Sequence, residues 1–332
     1  LQPPLFEVRG ERVETQFAGA DQGEAIQSLA ALDPDTVKPL REKARKRTTA
    51  KITRPAIRYH GAKFRLAEWV VPLLPRHRIY VEPFGGAAGV LLRKPAAAIE
   101  VYNDLDDDVV NFFRVLRTPS DCARLIAQLE LTPYARSEFE GAYEACTDPV
   151  ERARRLCVRA QMGFGSAGAT KATTGFRSGH KGNFQSPQKD WRSYPDSLVA
   201  VAERLRGVLI ENRPGLQLML EHDAVDTLHF VDPPYLQRVR TAPRGHKQAR
   251  SYRHEMTDAD HEHLLAAVKT LKGMVLLCGY ATPFYDDALP GWTRLDKEVR
   301  CASGRAGSAL RTESIWLNPA AIAGQLQQRL FA

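Results

Sequence analysis

Thr227-Leu228-His229-Phe230-Val231-Asp232-Pro233-Pro234-Tyr235 is the stretch on which the fold of this chain turns. The short apolar run from Thr227 to Val231 reads as a buried strand. Asp232-Pro233-Pro234-Tyr235 then stands at that strand's carboxyl end, the edge beyond which ligands bind in open α/β sheets. A carboxylate, a carbonyl that a following proline holds in an extended geometry, and a ring able to stack together suit one job, gripping a planar amino-heterocycle. The four residues alone also read as an ordinary strand-ending turn, so their surroundings must decide.

Working outward, apolar spacing predicts strands at Ile79 to Glu82, Ala98 to Tyr102, Val208 to Ile210, Met274 to Cys278 and Glu313 to Leu317. Helices are expected at Phe64 to Leu74, from Val90-Leu91-Leu92, through Val109, Val110, Phe112, Phe113, Val115 and Leu116, and near Asp258 to Leu271. A short helix at Gly23 to Leu32 is the only element expected in residues 1–55, which read as an extension or linker. The economical architecture is one doubly wound α/β domain, residues 56–118 and 206–320, interrupted by a helical, basic insertion at 119–205 and followed by a tail at 321–332.

Composition narrows the class. The chain has 332 residues, 43% of them hydrophobic, and a net charge of +8. No apolar run approaches the length of a membrane span, and Leu1-Gln2-Pro3-Pro4 lacks a signal pattern, so a soluble, cytoplasmic protein without membrane partners is expected. Five scattered cysteines form no Cys-x-x-Cys pair, which argues against a disulfide framework and a zinc site. His254 and His261 lack a third ligand at sensible spacing and read as surface or helix-start residues; no metal is expected.

The positive charge is uneven. Arg152 to Arg192 contains nine Lys and Arg residues, among them Arg155, Arg159, Lys171, Arg177 and Lys181, against the single acid Asp190. Arg238, Arg240, Arg244, Lys247, Arg250 and Arg253 follow the Asp-Pro-Pro-Tyr tetrad with no acid before Glu255. Basic loops of this kind suit a phosphate backbone, whereas the cluster from Lys43 to Arg54 reads as a solvated face.

Glu82-Pro83-Phe84-Gly85-Gly86-Ala87-Ala88-Gly89 is a glycine-rich turn where backbone can approach a ligand closely. It lacks both the dinucleotide fingerprint and the lysine of a phosphate loop. An acid at the strand tip, Glu82, points instead toward a cationic or hydroxyl-bearing ligand. Asp104 ends the next strand, where an acid accepts hydrogen bonds from ribose hydroxyls, or alternatively caps the following helix. Together they suggest a positively charged nucleoside, and S-adenosylmethionine fits.

The order Tyr59-His60-Gly61-Ala62-Lys63, Glu82-Pro83-Phe84-Gly85-Gly86, Asn103-Asp104, Asp232-Pro233-Pro234-Tyr235 resembles the Dam-like, α-group DNA adenine methyltransferases over about Ile57 to Asn318. Gly163-Phe164-Gly165-Ser166 and Gly182-Asn183-Phe184 match that family's recognition insertion loosely. The resemblance implies a Rossmann-like, S-adenosylmethionine-dependent methyltransferase sheet with a helical target-recognition insertion. It places Tyr59, Lys63, Glu82, Phe84 and Gly86 along the methyl-donor pocket, Asp104 on the donor's ribose, and Asn212 and Arg213 near its adenine. The usual acid after that last position is replaced here by Pro214-Gly215. Lys63 also reads as a surface lysine at a helix start.

The reaction so implied is methyl transfer to adenine N6 in duplex DNA. The Asp232 carboxylate and Pro233 carbonyl accept hydrogen bonds from the amino group and aim its lone pair at the sulfonium methyl; Tyr235 stacks on the base, which must be flipped out of the duplex. The basic insertion and the loop from Leu236 to His254 face DNA, with Gln161, Lys171, Arg177 and Asn183 as base-reading candidates by chemical type. A cognate restriction endonuclease is left open as a partner. N4-cytosine or RNA adenine methylation, glutamine methylation, and a non-catalytic DNA-binding module are the rival readings.

Overall fold

The computed structural model describes residues 51–166, 168–170, 173–178, 186–240, 252–303 and 307–330; the helix expected at Gly23 to Leu32 lies outside them. Seven strands form one sheet: β1 (Ile79–Glu82), β2 (Ile99–Asn103), β3 (Val208–Glu211), β4 (Thr227–Val231), β5 (Met274–Gly279), β6 (Thr293–Ser303) and β7 (Gly307–Leu317). Their order is β3-β2-β1-β4-β5-β7-β6. The first five run parallel, whereas β7 is antiparallel to both β5 and β6. The chain goes from β1 to β2 on one side and later returns to β4 on the other. The strand order therefore reverses between β1 and β4, which opens a crevice at their carboxyl ends.

Why these segments become strands is visible in the two layers they feed. Successive side chains of a strand point to opposite faces. Leu228 and Phe230 enter one hydrophobic cluster with Tyr80, Tyr102, Leu276 and Cys278; Val231, Val275 and Leu277 enter a second with Leu264, Tyr285 and Trp316. A sheet covered on both faces favours apolar residues along the whole strand, hence Leu228, Phe230 and Val231 in Thr227–Val231, all five residues of which are buried. His229 fits inside because burial pulls its pKa down to about 4, keeping the ring neutral, while Asp223 approaches it at 3.3 Å.

Eleven helices are found among the described residues: α1 (Ala67–Val70), α2 (Asp107–Arg117), α3 (Pro119–Leu131), α4 (Arg136–Gly141), α5 (Pro149–Met162), α6 (Pro187–Arg192), α7 (Tyr194–Arg204), α8 (Gly215–Glu221), α9 (Asp258–Val268), α10 (Pro283–Ala288) and α11 (Pro319–Leu330). α2 begins at Asp106, whose side chain accepts from the Asp108 amide; two acids follow in its first turn and two arginines close its last. The cap is thus Asp106 and not Asp104. Helices α3 to α7, all between β2 and β3, share the core of the sheet through Leu125, Leu156, Tyr194 and Leu198. Arg204 of α7 reaches the buried Glu100 of β2 at 2.6 Å, and Lys94 completes that ion cluster.

Three expectations need correction. The helix sought over Phe64 to Leu74 is only α1 followed by a 3-10 turn at Val71–Leu73, because Pro72 interrupts it. No helix starts at Val90; the chain passes through turns there, with Ala88 in the left-handed region at φ 54°. The closing strand is longer than Glu313 to Leu317 and pairs with β6 along eleven residues. β6 was missed because Arg294, Asp296, Lys297, Glu298 and Arg300 leave no apolar run to read. The 321–332 segment contributes most of α11, whose Ala321 is buried and whose Gln325 side chain donates to the Leu73 carbonyl.

Candidate functional site

The parallel pairing of β1 with β4 brings the two decisive sequence motifs side by side. The turn after β1 and the tetrad after β4 open onto one pocket. It is lined by Tyr59, Lys63, Glu82, Phe84, Gly86, Asp104, Asp232 and Pro234 from the sequence-derived set, and by Leu105, Asp106, Tyr252, His254, Glu255 and Met256 in addition. Pro233 is buried behind it and Tyr235 does not line it, nor do Asn212 and Arg213.

The floor is backbone. Gly86 has φ 48°, and a Cβ on it would come within 3.0 Å of the Tyr59 ring; on Gly85 a Cβ would run into the Tyr102 ring. The Gly86 amide donates to Asp104 Oδ2 at 2.8 Å, and the Asp106 amide donates to Oδ1 at 2.8 Å. Burial raises the pKa of Asp104 while these amides oppose the rise. Asn212 donates to the Asp104 carbonyl and Arg213 to the Asn103 side chain, so this pair braces the strand ends.

Glu82 is 2% exposed and accepts from the Tyr80 hydroxyl at 2.8 Å and the Leu91 amide at 3.1 Å. Burial pushes its pKa up to about 8. Lys63, expected alternatively as a surface lysine, is 7% exposed. Its ammonium lies 2.8 Å from Asp232 Oδ1, an ion-pairing distance although the approach is not aligned as a hydrogen bond, and it donates to the Gly61 carbonyl at 3.2 Å. Burial alone would lower the pKa of this lysine; Asp232 and then Glu313 overcome that and raise it. Burial also raises the pKa of Asp232, against the pull of Lys63.

Tyr235 is buried and occupied. Its hydroxyl donates to Glu313 Oε2 at 2.7 Å, Tyr280 packs edge-on at 4.7 Å, and the Lys63 ammonium sits 4.8 Å from the ring centre. His261, expected as a surface or helix-start residue, stands near the start of α9 but is buried; its Nδ1 lies 2.8 Å from the Tyr285 hydroxyl, and burial lowers its pKa to about 4.

The basic residues expected to face DNA carry intramolecular partners. Arg155 pairs with Glu151, and Arg159, with Arg152, pairs with Asp108 at the start of α2. Arg177 pairs with Asp190, Arg238 with Asp258 and Arg240 with Glu255. Part of the charge in these acid-poor windows is met by acids outside them, Asp108 and Glu151 for the first and Glu255 and Asp258 for the second, while Arg177 takes the first window's own Asp190. Lys171, Lys181, Asn183 and the match at Gly182-Asn183-Phe184 lie outside the described residues, and Gln161 is buried. Phe164, of the loosely matching Gly163-Phe164-Gly165-Ser166, is 62% exposed; Ser166, two residues on, approaches His60 of the pocket at 3.5 Å.

The donor set defines what this pocket accepts. Among the described lining residues Lys63 is the one Lys or Arg, and it is paired; Glu82, Asp104, Asp106, Asp232 and Glu255 are acids. Such a wall repels pyrophosphate and fits a nucleoside carrying positive charge, with room at the glycines for close approach. No described group of three His, Cys, Asp or Glu side chains could hold a metal ion, and no described helix is long and apolar enough to cross a membrane. A family model of D12 class N6 adenine-specific DNA methyltransferases matches residues 59–284, a span that includes every strand from β1 to β5 and the whole insertion. No curated protein matches the chain.

Proposed function

From a chain that belongs to the D12 class N6 adenine-specific DNA methyltransferases, we propose that the crevice between β1 and β4 is where methyl donor and target adenine meet. The protein is an enzyme that methylates adenine N6 in DNA, and its family implies S-adenosylmethionine as donor. The observation that carries the assignment of the site is the adjacency of Asp232 to the Glu82–Gly86 turn in one acidic, glycine-floored pocket.

S-adenosylmethionine, when bound, supplies an electrophilic methyl group on a sulfonium. Glu82 and the Gly85-Gly86 backbone hold its charged and close-packed portions, Asp104 accepts from ribose hydroxyls, and Tyr59 and Phe84 supply apolar walls. Asp232 and the Pro233 carbonyl accept hydrogen bonds from the adenine amino group. That group is a poor nucleophile while its lone pair is delocalised into the ring, so two acceptors favour the pyramidal form and fix the line of attack. The amino proton becomes acidic as the new N–C bond forms, when Asp232 is within reach to receive it. Lys63 keeps Asp232 available as a carboxylate against the cost of burial.

A base stacked in a duplex cannot enter such a crevice, so the adenine is flipped out. The exposed ring of Phe164 beside the mouth suits stacking against the duplex it leaves, and the residues 119–205 serve as the recognition insertion. Arg152 and Arg159 of α5 act first as ties between that insertion and α2, while Arg238, its side chain 50% exposed, remains nearer solvent for phosphate. Tritiated methyl transfer from S-adenosylmethionine to mixed-sequence duplex DNA, followed by nucleoside mass spectrometry of wild type and Asp232→Ala, tests the reading. N6-methyladenine from the wild type only is expected; transfer retained by Asp232→Ala would remove this residue from the mechanism.

A further inference from the structure

We infer that Glu313, on β7 and outside every motif named above, is a positioning residue for methyl transfer: it anchors the Tyr235 hydroxyl and shares the Lys63 ammonium with Asp232. The inference rests on the reading of Asp232 as the acceptor of the adenine amino group. Ser314 is the first β7 residue paired with β5, opposite Gly279, so Glu313 lies one step past the carboxyl end of β5 while still pairing with Lys297 of β6. From there it links four side chains in a row. Tyr235 donates to it at 2.7 Å, Lys63 approaches it at 4.0 Å, and Lys63 meets Asp232 at 2.8 Å.

This arrangement does two separable things. First, it fixes Tyr235 by its hydroxyl while Tyr280 and the Lys63 ammonium hold the ring, so the Pro233-Pro234-Tyr235 corner has one orientation and Asp232 with it. Second, it sets two carboxylates against one ammonium in a site where the side chains of Lys63, Asp232 and Glu313 are 8%, 15% and 13% exposed. The charge of Glu313 opposes ionisation of Asp232, and Lys63 supports it. The other groups that feel Asp232 are Glu82 at the end of β1, Tyr252 from the segment before α9, Cys278 in β5 and Tyr285 in α10.

Glu313→Gln keeps an acceptor for the Tyr235 hydroxyl and removes the charge; Glu313→Ala removes both. With the full-length enzyme, Glu313→Gln is expected to move the acid limb of the kcat profile to lower pH. Glu313→Ala is expected to lower kcat by roughly ten- to hundredfold, the worth of a hydrogen bond to a charged group, with KM for S-adenosylmethionine little changed. Should Glu313→Ala fail to fold, Glu313→Gln decides alone. An acid limb and kcat unmoved in Glu313→Gln, while Asp232→Ala is inactive, overturns this inference and leaves the reading of Asp232 standing. Transfer retained by Asp232→Ala overturns both.

Discussion

The Lys63 ammonium lies 2.8 Å from Asp232 Oδ1, joining the turn before α1 to the corner after β4. Burial disfavours both charges, and each makes the other tolerable. Lys63→Gln removes the largest effect that lowers the Asp232 pKa, so that pKa rises further. The ionised form needed to accept the adenine amino protons is then lost at higher pH. The acid limb of the transfer rate is expected to shift upward in Lys63→Gln, opposite to Glu313→Gln, and pH–rate profiles of the two variants check it.

Asp232→Ala is expected to abolish methyl transfer while leaving S-adenosylmethionine affinity within a few-fold of wild type, since the contacts proposed for the donor lie on the β1 side of the pocket. Equilibrium binding of labelled donor beside a transfer assay separates the two. Loss of both together would mean that Asp232 belongs to the donor site.

Glu82 predicts a proton coupled to donor binding. With its pKa raised to about 8 by burial, Glu82 is mostly protonated at neutral pH in the free protein. A cationic donor favours the carboxylate, so binding at pH 7 releases a proton, and affinity rises as pH increases toward and through about 8. Calorimetry in buffers of different ionisation enthalpy measures the released proton. Glu82→Gln is expected to remove the release and weaken binding.

Gly86→Val tests the floor of the pocket. At φ 48° a side chain costs roughly 1–2 kcal/mol in the backbone alone, and here it also presses on Tyr59. Donor binding is expected to fall further than thermal stability does, which parallel melting and binding measurements resolve.

Arg159 and Arg238 separate structure from DNA contact. Arg159 is 11% exposed and tied to Asp108 and the Ala142 carbonyl, so Arg159→Ala is expected to destabilise by roughly 1.5–3 kcal/mol in denaturant unfolding. Arg238 and Asp258 are half exposed, and Arg238→Ala should leave stability within about 1 kcal/mol. If Arg238 meets phosphate, its loss lowers the salt dependence of DNA binding by about one unit of slope.

Much of the catalytic half was legible in the primary structure because its signals are local. Thr227–Val231 is buried on both faces, with Leu228, Phe230 and Val231 supplying the apolar signal, and a strand ending in Asp-Pro-Pro-Tyr presents its carboxylate wherever the sheet is placed. Glu82, Gly86 and Asp104 were readable for the same reason, as strand-end residues flanking a glycine turn. β6 was not, since its charged residues take their strand form from pairing with β7 along the whole hairpin.

What the order of residues determined by itself was therefore the candidate strand-end residues Glu82, Asp104 and Asp232, which the fold gathers at one pocket, and the family the chain belongs to. Tertiary structure decided the partners: that Lys63 is buried on Asp232, that Tyr235 turns to Glu313, and that Arg152 and Arg159 spend their charge on Asp108. Strand periodicity acts over a few residues and leaves its record in consecutive positions. Charge pairing acts through space, and the acid that neutralises an arginine can come from any segment the fold brings within about 4 Å.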